Sequence, residues 1–153
     1  MMKGKKNLHC LLLGALLSVS TWSFAQQVPT TAELIQQPVY KTSWQKMIKG
    51  QKNLPAWARK GAGTSAPAEW VEQAGKKYQI GSICKPHDCA NHFLLVAFSD
   101  DKKQAWGVRV SVEDKPEALE TPSKFAQYQW LGQPDEAMKA LLIAQLEKDP
   151  DWK

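Results

Sequence analysis

The sequence predicts an α+β fold, with an antiparallel sheet of about five strands and helices packed on one face. Three observations lead there. The middle of the chain holds several short runs with β periodicity, joined by connections too short for parallel crossovers. A helical stripe precedes these runs, and another follows them.

The first residues form a segment apart. MMKGKKNLHCLLLGALLSVSTWSFAQQ opens with Lys3, Lys5 and Lys6, continues with an apolar run from Leu8 to Val19, and reaches small residues at Ser23 and Ala25. This is the pattern of a cleaved export signal, with cleavage expected after Ala25. The apolar run is short for a bilayer span. Residues 1–25 are therefore expected to be removed, Cys10 with them, leaving 26–153 as one exported domain with no membrane attachment. Loss of the three lysines lowers the formal charge from +5 to +2, with 17 basic residues against 15 acidic ones. That balance is no nucleic-acid footprint.

Within the domain, Gln26 to Glu33 reads as polar and loose. Tyr40, Trp44, Met47 and Ile48 fall on one helical face, with Pro38 near the start and Gly50 at the end. In LPAWARKG, Pro55 is placed to start a short helical turn and Gly61 to end it. GAGTSAP reads as a loop. AEWVEQA and KKYQIGSIC flank Gly75, a hairpin signal. Tyr78, Ile80, Ser82 and Cys84 share one strand face. NHFLLVAFS is nearly continuous in apolar residues, as a central strand would be. SDDKK is a turn, and QAWGVRVSVE then alternates, with Trp106, Val108, Val110 and Val112 on one side. Pro116 and Pro122 mark an irregular connection before a fifth strand in AQYQWL. From Pro134 the pattern is helical, striped by Met138, Leu141, Leu142 and Leu146.

The hairpin tip between the second and third of these strands reads CKPHDC, residues 84–89. Cys84 and Cys89 are the two cysteines of the exported domain. In an oxidising compartment, two cysteines five positions apart are expected to pair. Three readings compete for the tip. Cys84, His87, Cys89 and His92 have ligand types that suit zinc, and an exported metal-binding protein using His87 and His92 is one alternative. Four ligands within nine residues leave little chain to wrap a tetrahedron, and oxidation removes two of them. A stapled turn without a task is the second reading. The third is a rigid binding finger, in which Pro86 fixes one φ and restricts Lys85. A six-residue disulfide loop adds only about 2 kcal/mol to global stability by the chain-entropy estimate. Rigidity at the tip is then its larger contribution. A redox centre or thiol nucleophile needs a free thiolate, which a bridged cysteine lacks. No G-x-S-x-G, HExxH or phosphate-cradling glycine run occurs elsewhere, so no enzyme activity and no cofactor are expected.

CKPHDC resembles the signature loop of the Ivy family, inhibitors of vertebrate (C-type) lysozyme made by Gram-negative bacteria. Leu54 to Trp57 (LPAW), Lys60-Gly61 and Tyr78-Gln79 are also similar to that family. The resemblance implies a location, the periplasm, a partner, C-type lysozyme, and a mechanism. His87 would enter the enzyme's cleft and hydrogen-bond its catalytic carboxylates, while Lys85, Pro86 and Asp88 shape or supplement the contact. A retaining glycosidase holds two carboxyl groups about 5 Å apart, and an imidazole donating from both nitrogens can bridge them. The resemblance also allows a homodimer, and regulation of the cell's own lytic transglycosylases is the alternative function. Lysozymes of this type are basic, and so is this domain. Any long-range attraction would rest on local acidic pairs such as Asp100-Asp101 or Glu113-Asp114.

Overall fold

The structure is a computed structural model and describes residues 27–153. The expected leader, residues 1–25, lies outside the described residues. Among them, no helix is long and apolar enough to cross a membrane.

The first element among the described residues is a short helix, α1 (Thr31–Leu34), where a loose segment is expected. Its cause is visible in the sequence: Thr30 and Glu33 form a reciprocal capping box that satisfies two backbone donors. Next come α2 (Pro38–Ile48) and α3 (Ala56–Lys60). Pro38 sits in the first turn of α2, and the striped residues Tyr40, Trp44, Met47 and Ile48 are all buried. Pro55 precedes α3 and Gly61 closes it in the left-handed conformation, φ 60°.

Six strands follow: β1 (Thr64–Ser65), β2 (Glu69–Gln73), β3 (Lys76–Cys84), β4 (His92–Ser99), β5 (Ala105–Val112) and β6 (Ala126–Leu131). They form one antiparallel sheet in the order β1-β3-β4-β5-β6, with β2 also on β3. β2 pairs with the first half of β3, and β1 with its last two residues. The expected five strands are β2 to β6; β1 is the extra one, too short to show a period. Between β5 and β6, each proline opens a turn of helix, in α4 (Pro116–Glu120) and in a 3-10 turn (Pro122–Phe125). The last helix, α5 (Glu136–Leu146), is capped by Asp135, whose carboxylate accepts from the Met138 amide at 2.8 Å.

The α+β class stands, but the helices cover both faces of the sheet rather than one. On one face, α1, α2 and α3 pack over Ile83, Leu94, Val96, Phe98 and Leu131. On the other, α5 and Ala118 of α4 pack over Ile80, Ala97, Val108, Val110 and Val112. β4 explains this arrangement. Its run FLLVAF is apolar at every position, so alternate side chains need cover on both sides. Each fully buried large side chain there contributes about 1.5–3 kcal/mol. One polar pair is sealed within the first layer, where the Tyr40 hydroxyl donates to Gln79 Oε1.

The hairpin signal at Gly75 is a two-residue connection between β2 and β3, closed by Gln73 opposite Lys76. Both its residues have positive φ, 51° at Ala74 and 73° at Gly75. Such a turn matches the twist of the strands, but favours Asn rather than Ala at its first position. Ala74→Asn should therefore raise the free energy of unfolding by about 0.5–1 kcal/mol. Urea denaturation with an unchanged slope is the check; no gain would mean that the turn tolerates Ala74 without strain.

Candidate functional site

The CKPHDC segment sits where β3 hands over to β4. Cys84 is the last residue of β3, opposite Phe93 in the register. The loop therefore grows from the end of two strands locked between helical layers. Cys84 and Cys89 are joined by a disulfide across its base, with 4.9 Å between their Cα atoms. Backbone bonds lace the rest. The Lys85 amide donates to His92 O at 2.9 Å, Asp88 N to Lys85 O at 3.0 Å, and His92 N to Asp88 O at 3.1 Å.

The Asp88-to-Lys85 bond closes a four-residue turn with Pro86 second and His87 third. His87 has φ 65°. Proline at the second position and positive φ at the third define a type II turn. That third position usually belongs to glycine or asparagine, so a histidine there is held against its backbone preference. The consequence is geometric: the imidazole stands at the apex, exposed, as is Pro86 beside it.

The charged neighbours are occupied with each other. Lys85 Nζ lies 2.8 Å from Asp88 Oδ2. His92 Nε2 approaches the same oxygen at 3.7 Å. The Lys85 ammonium, hydrogen-bonded to Asp88, holds that carboxyl below the usual carboxylate range, with lesser pulls from His92 and Asn91 opposed by partial burial. Lys85 and Asp88 thus form a collar under the tip, leaving the His87 imidazole as its titratable group without a charged partner in the loop.

All six expected residues are brought together. His92 is a different matter. It lies at the loop base and interacts with Asp88, while its Nδ1 is buried without a partner. The zinc arrangement is not formed: both sulfurs are in the disulfide. Among the described residues, no group of three or more His, Cys, Asp or Glu side chains is placed to hold a metal ion.

Two supports escaped the sequence reading. Asn91 accepts from the Val112 amide at 2.8 Å and so pins the loop's exit to β5. Gly63 passes so close to the Cys84 carbonyl that a Cβ there would collide with it. The double glycine of GAGTSAP was a signal for such an approach, but its target lies 21 residues on. The acidic pairs separate. Glu113-Asp114 follows β5 at the loop end of the sheet, whereas Asp100-Asp101 lies in the β4–β5 turn at the far end.

Comparison with known proteins converges on one family. The family described as inhibitor of vertebrate lysozyme (Ivy) matches residues 39–147, a span that contains the loop, all six strands and α5. The chain is 59% identical over 154 residues to an uncharacterized protein of Yersinia pestis, an alignment covering 90% of this chain and 100% of that one. It is 44% identical over 149 residues to an inhibitor of vertebrate lysozyme from Pseudomonas aeruginosa, covering 95% of each. To the protein of the same name in Escherichia coli K12 it is 36% identical over 101 residues, 66% of this chain and 63% of that one. With most of its length matched by the family and its disulfide-closed loop inside the match, the chain belongs to the Ivy family of vertebrate lysozyme inhibitors.

Proposed function

We propose that the mature chain, residues 26–153, is a periplasmic inhibitor of C-type lysozyme that places His87 between the two catalytic carboxyl groups. The single observation that carries this reading is the exposed imidazole at the apex of a turn braced by a disulfide, with Lys85 and Asp88 paired below it. Membership in a family of lysozyme inhibitors supplies the partner. The chain acts by occupying a cleft rather than by chemistry of its own.

The physics of the contact follows from the tip. A retaining glycosidase presents two carboxyl groups about 5 Å apart, one of them ionised. An imidazole has two nitrogens on opposite sides of a flat ring, and both donate in the charged form. Inserted between the carboxyls, it can bond each and deny the site to substrate. The turn is already ordered before docking, so less conformational entropy is lost on binding than a free loop would lose. Such insertion is short-range. With few net charges on the mature domain, fit rather than steering sets the affinity.

The direct test is lysis of a peptidoglycan suspension by C-type lysozyme, with and without the mature protein. Lysozyme should be blocked; a lytic transglycosylase in a parallel assay tests the alternative partner. His87→Ala should weaken binding by about 2–4 kcal/mol, the range for losing a central charge-assisted anchor. Because alanine also dislikes positive φ, His87→Asn is the cleaner variant: it accepts the turn and removes the imidazole. Calorimetric affinities within a factor of two of the parent for both variants would refute the mechanism.

Cys84→Ser combined with Cys89→Ser should leave the fold intact, since the layers on both faces of the sheet hold the core without the bridge. Inhibition should weaken because the tip becomes an ensemble. Full inhibition by the double variant would show that the bridge does not preorganise the tip.

The collar has its own acid limb. The folded Asp88 carboxyl is held below its unfolded value, so its contribution is complete above that unfolded value and is lost as pH falls through the lowered one. The Asp88 carboxyl carbon signal should therefore hold its position through the range in which an unpaired aspartate titrates and move only in stronger acid. Asp88→Asn should abolish that transition. Movement of that carboxyl signal in the range of an unpaired aspartate would contradict the assignment.

A further inference from the structure

A large cleft lies at the end of the sheet away from the loop. Its volume is about 910 Å³, toward the upper end of the range for small-molecule sites. β3 separates the two places. Lys76 at the cleft and Cys84 at the loop are the two ends of that nine-residue strand, about 26 Å apart at the usual rise.

The register explains why space opens here. Tyr78 pairs with Ser99, and Trp106 pairs with Ala97. Two large rings on the flanking strands thus stand on either side of small residues on β4. The rings meet edge to face, with centroids 6.2 Å apart, and both remain partly exposed. The first turns of α5 form the opposite wall, through Met138 and Leu141. The β2–β3 turn is tied to that wall, because Gln73 Nε2 donates to Ala137 O at 3.3 Å. The cleft is therefore braced rather than open to collapse.

Its chemistry is mixed in a particular way. The floor offers aromatic surface. The rim offers side-chain amides, with Gln104 and Gln133 both exposed. Lys76 and Lys77 stand against Asp100, Asp101 and Asp135, so neither sign of charge dominates. Two of those carboxylates already accept local hydrogen bonds, Asp101 from Ser99 and Lys103, and Asp135 from Met138. An anion or a cation would find opposing charge close by. A ligand with flat apolar faces and many hydroxyls would find rings to lie against and amides that both donate and accept.

We propose that this cleft is a second binding site, for a neutral oligosaccharide. It works independently of the loop and does not rest on the lysozyme reading. With the two sites at opposite ends of β3, a glycan in the cleft leaves His87 free.

The test is a titration of the mature protein, without lysozyme, followed by two-dimensional amide and indole NMR. The probes are triacetylchitotriose and maltotriose, with a lysine-rich and a glutamate-rich peptide as charged competitors. The expected result is saturable movement of the Trp106 indole and the Ala137 amide with at least one trisaccharide, and none at His87. Binding of both sugars indicates a general polyol site, and binding of chitotriose alone indicates that the acetamido groups are read. Trp106→Leu should weaken the affinity at least about fivefold, the scale of a lost aromatic contact. Gln104→Ala, at an exposed rim position, should weaken it without touching the core. No saturable movement with either sugar up to about 10 mM, weaker than any useful affinity, would overturn the proposal. So would movement caused by a charged peptide alone, or an unchanged affinity in both variants. Loss of lysozyme inhibition is scored separately and leaves this outcome untouched.

Discussion

The pairing of β3 with β4 is the constraint on which the rest of the molecule depends. Seven residue pairs, from Tyr78 opposite Ser99 to Cys84 opposite Phe93, fix the two strands against each other. A slip by one residue would turn Leu94, Val96 and Phe98 away from α1–α3 and drive the other set of side chains into their place. In many sheets one wrong face is merely wet. Here both faces are covered, so both layers would be lost together. The same pairing sets where the sheet stops, and therefore where Cys84 sits when Cys89 comes back to meet it. The loop inherits its position from the core.

The glycines show how closely the layers approach. Gly81 lies beneath Thr31 of α1, and a Cβ at that position would strike the threonine side chain. Gly107 faces Met47 of α2 while crossing the Leu95 carbonyl. These contacts fall at the middle of β3 and β5, where a side chain of any size would lift the N-terminal helices off the sheet. Gly63 repeats the device at the base of the loop. In all three, the absent side chain is what lets a neighbour close down.

The sequence showed what is periodic and local. The stripes of α2 and α5, the apolar β4, the alternation of β5 and the hairpin at Gly75 follow from spacing alone, and the structure places them as read. It also showed the six residues of the loop, since a short closed segment carries its chemistry in its own letters. The two-sided cover was harder to see. Tyr78, Ile80, Ser82 and Cys84 share one face of β3 as expected, but only Ile80 of them is buried, whereas Gln79, Gly81 and Ile83 on the other face all are. A glutamine and a glycine give no hydrophobic signal, and their burial depends on Tyr40 and Thr31 more than 35 positions earlier. α1 was missed although Thr30 and Glu33 spell a capping box, because four residues are too few for a period. The turn type at His87 was not read either. It needs the Lys85–Asp88 backbone bond, and histidine is not the residue that normally announces positive φ.

The paired collar of Lys85 and Asp88 changes what the loop presents to water. Two separated ions each hold a hydration shell that must be stripped when they enter a narrow cleft, at a cost of several kcal/mol per ion. Ions already in contact are dipolar to their surroundings, and their shells are partly shed before any partner arrives. With Pro86 apolar and the disulfide sulfurs weakly hydrated, the shaft beneath His87 resembles a greasy plug more than its letters suggest. Only the ring at its apex keeps a strong hold on water, and in the proposed complex that hold would be exchanged for two carboxylates. A sequence with three charged or titratable residues among six can in this way behave, on entering a crevice, as though it carried one.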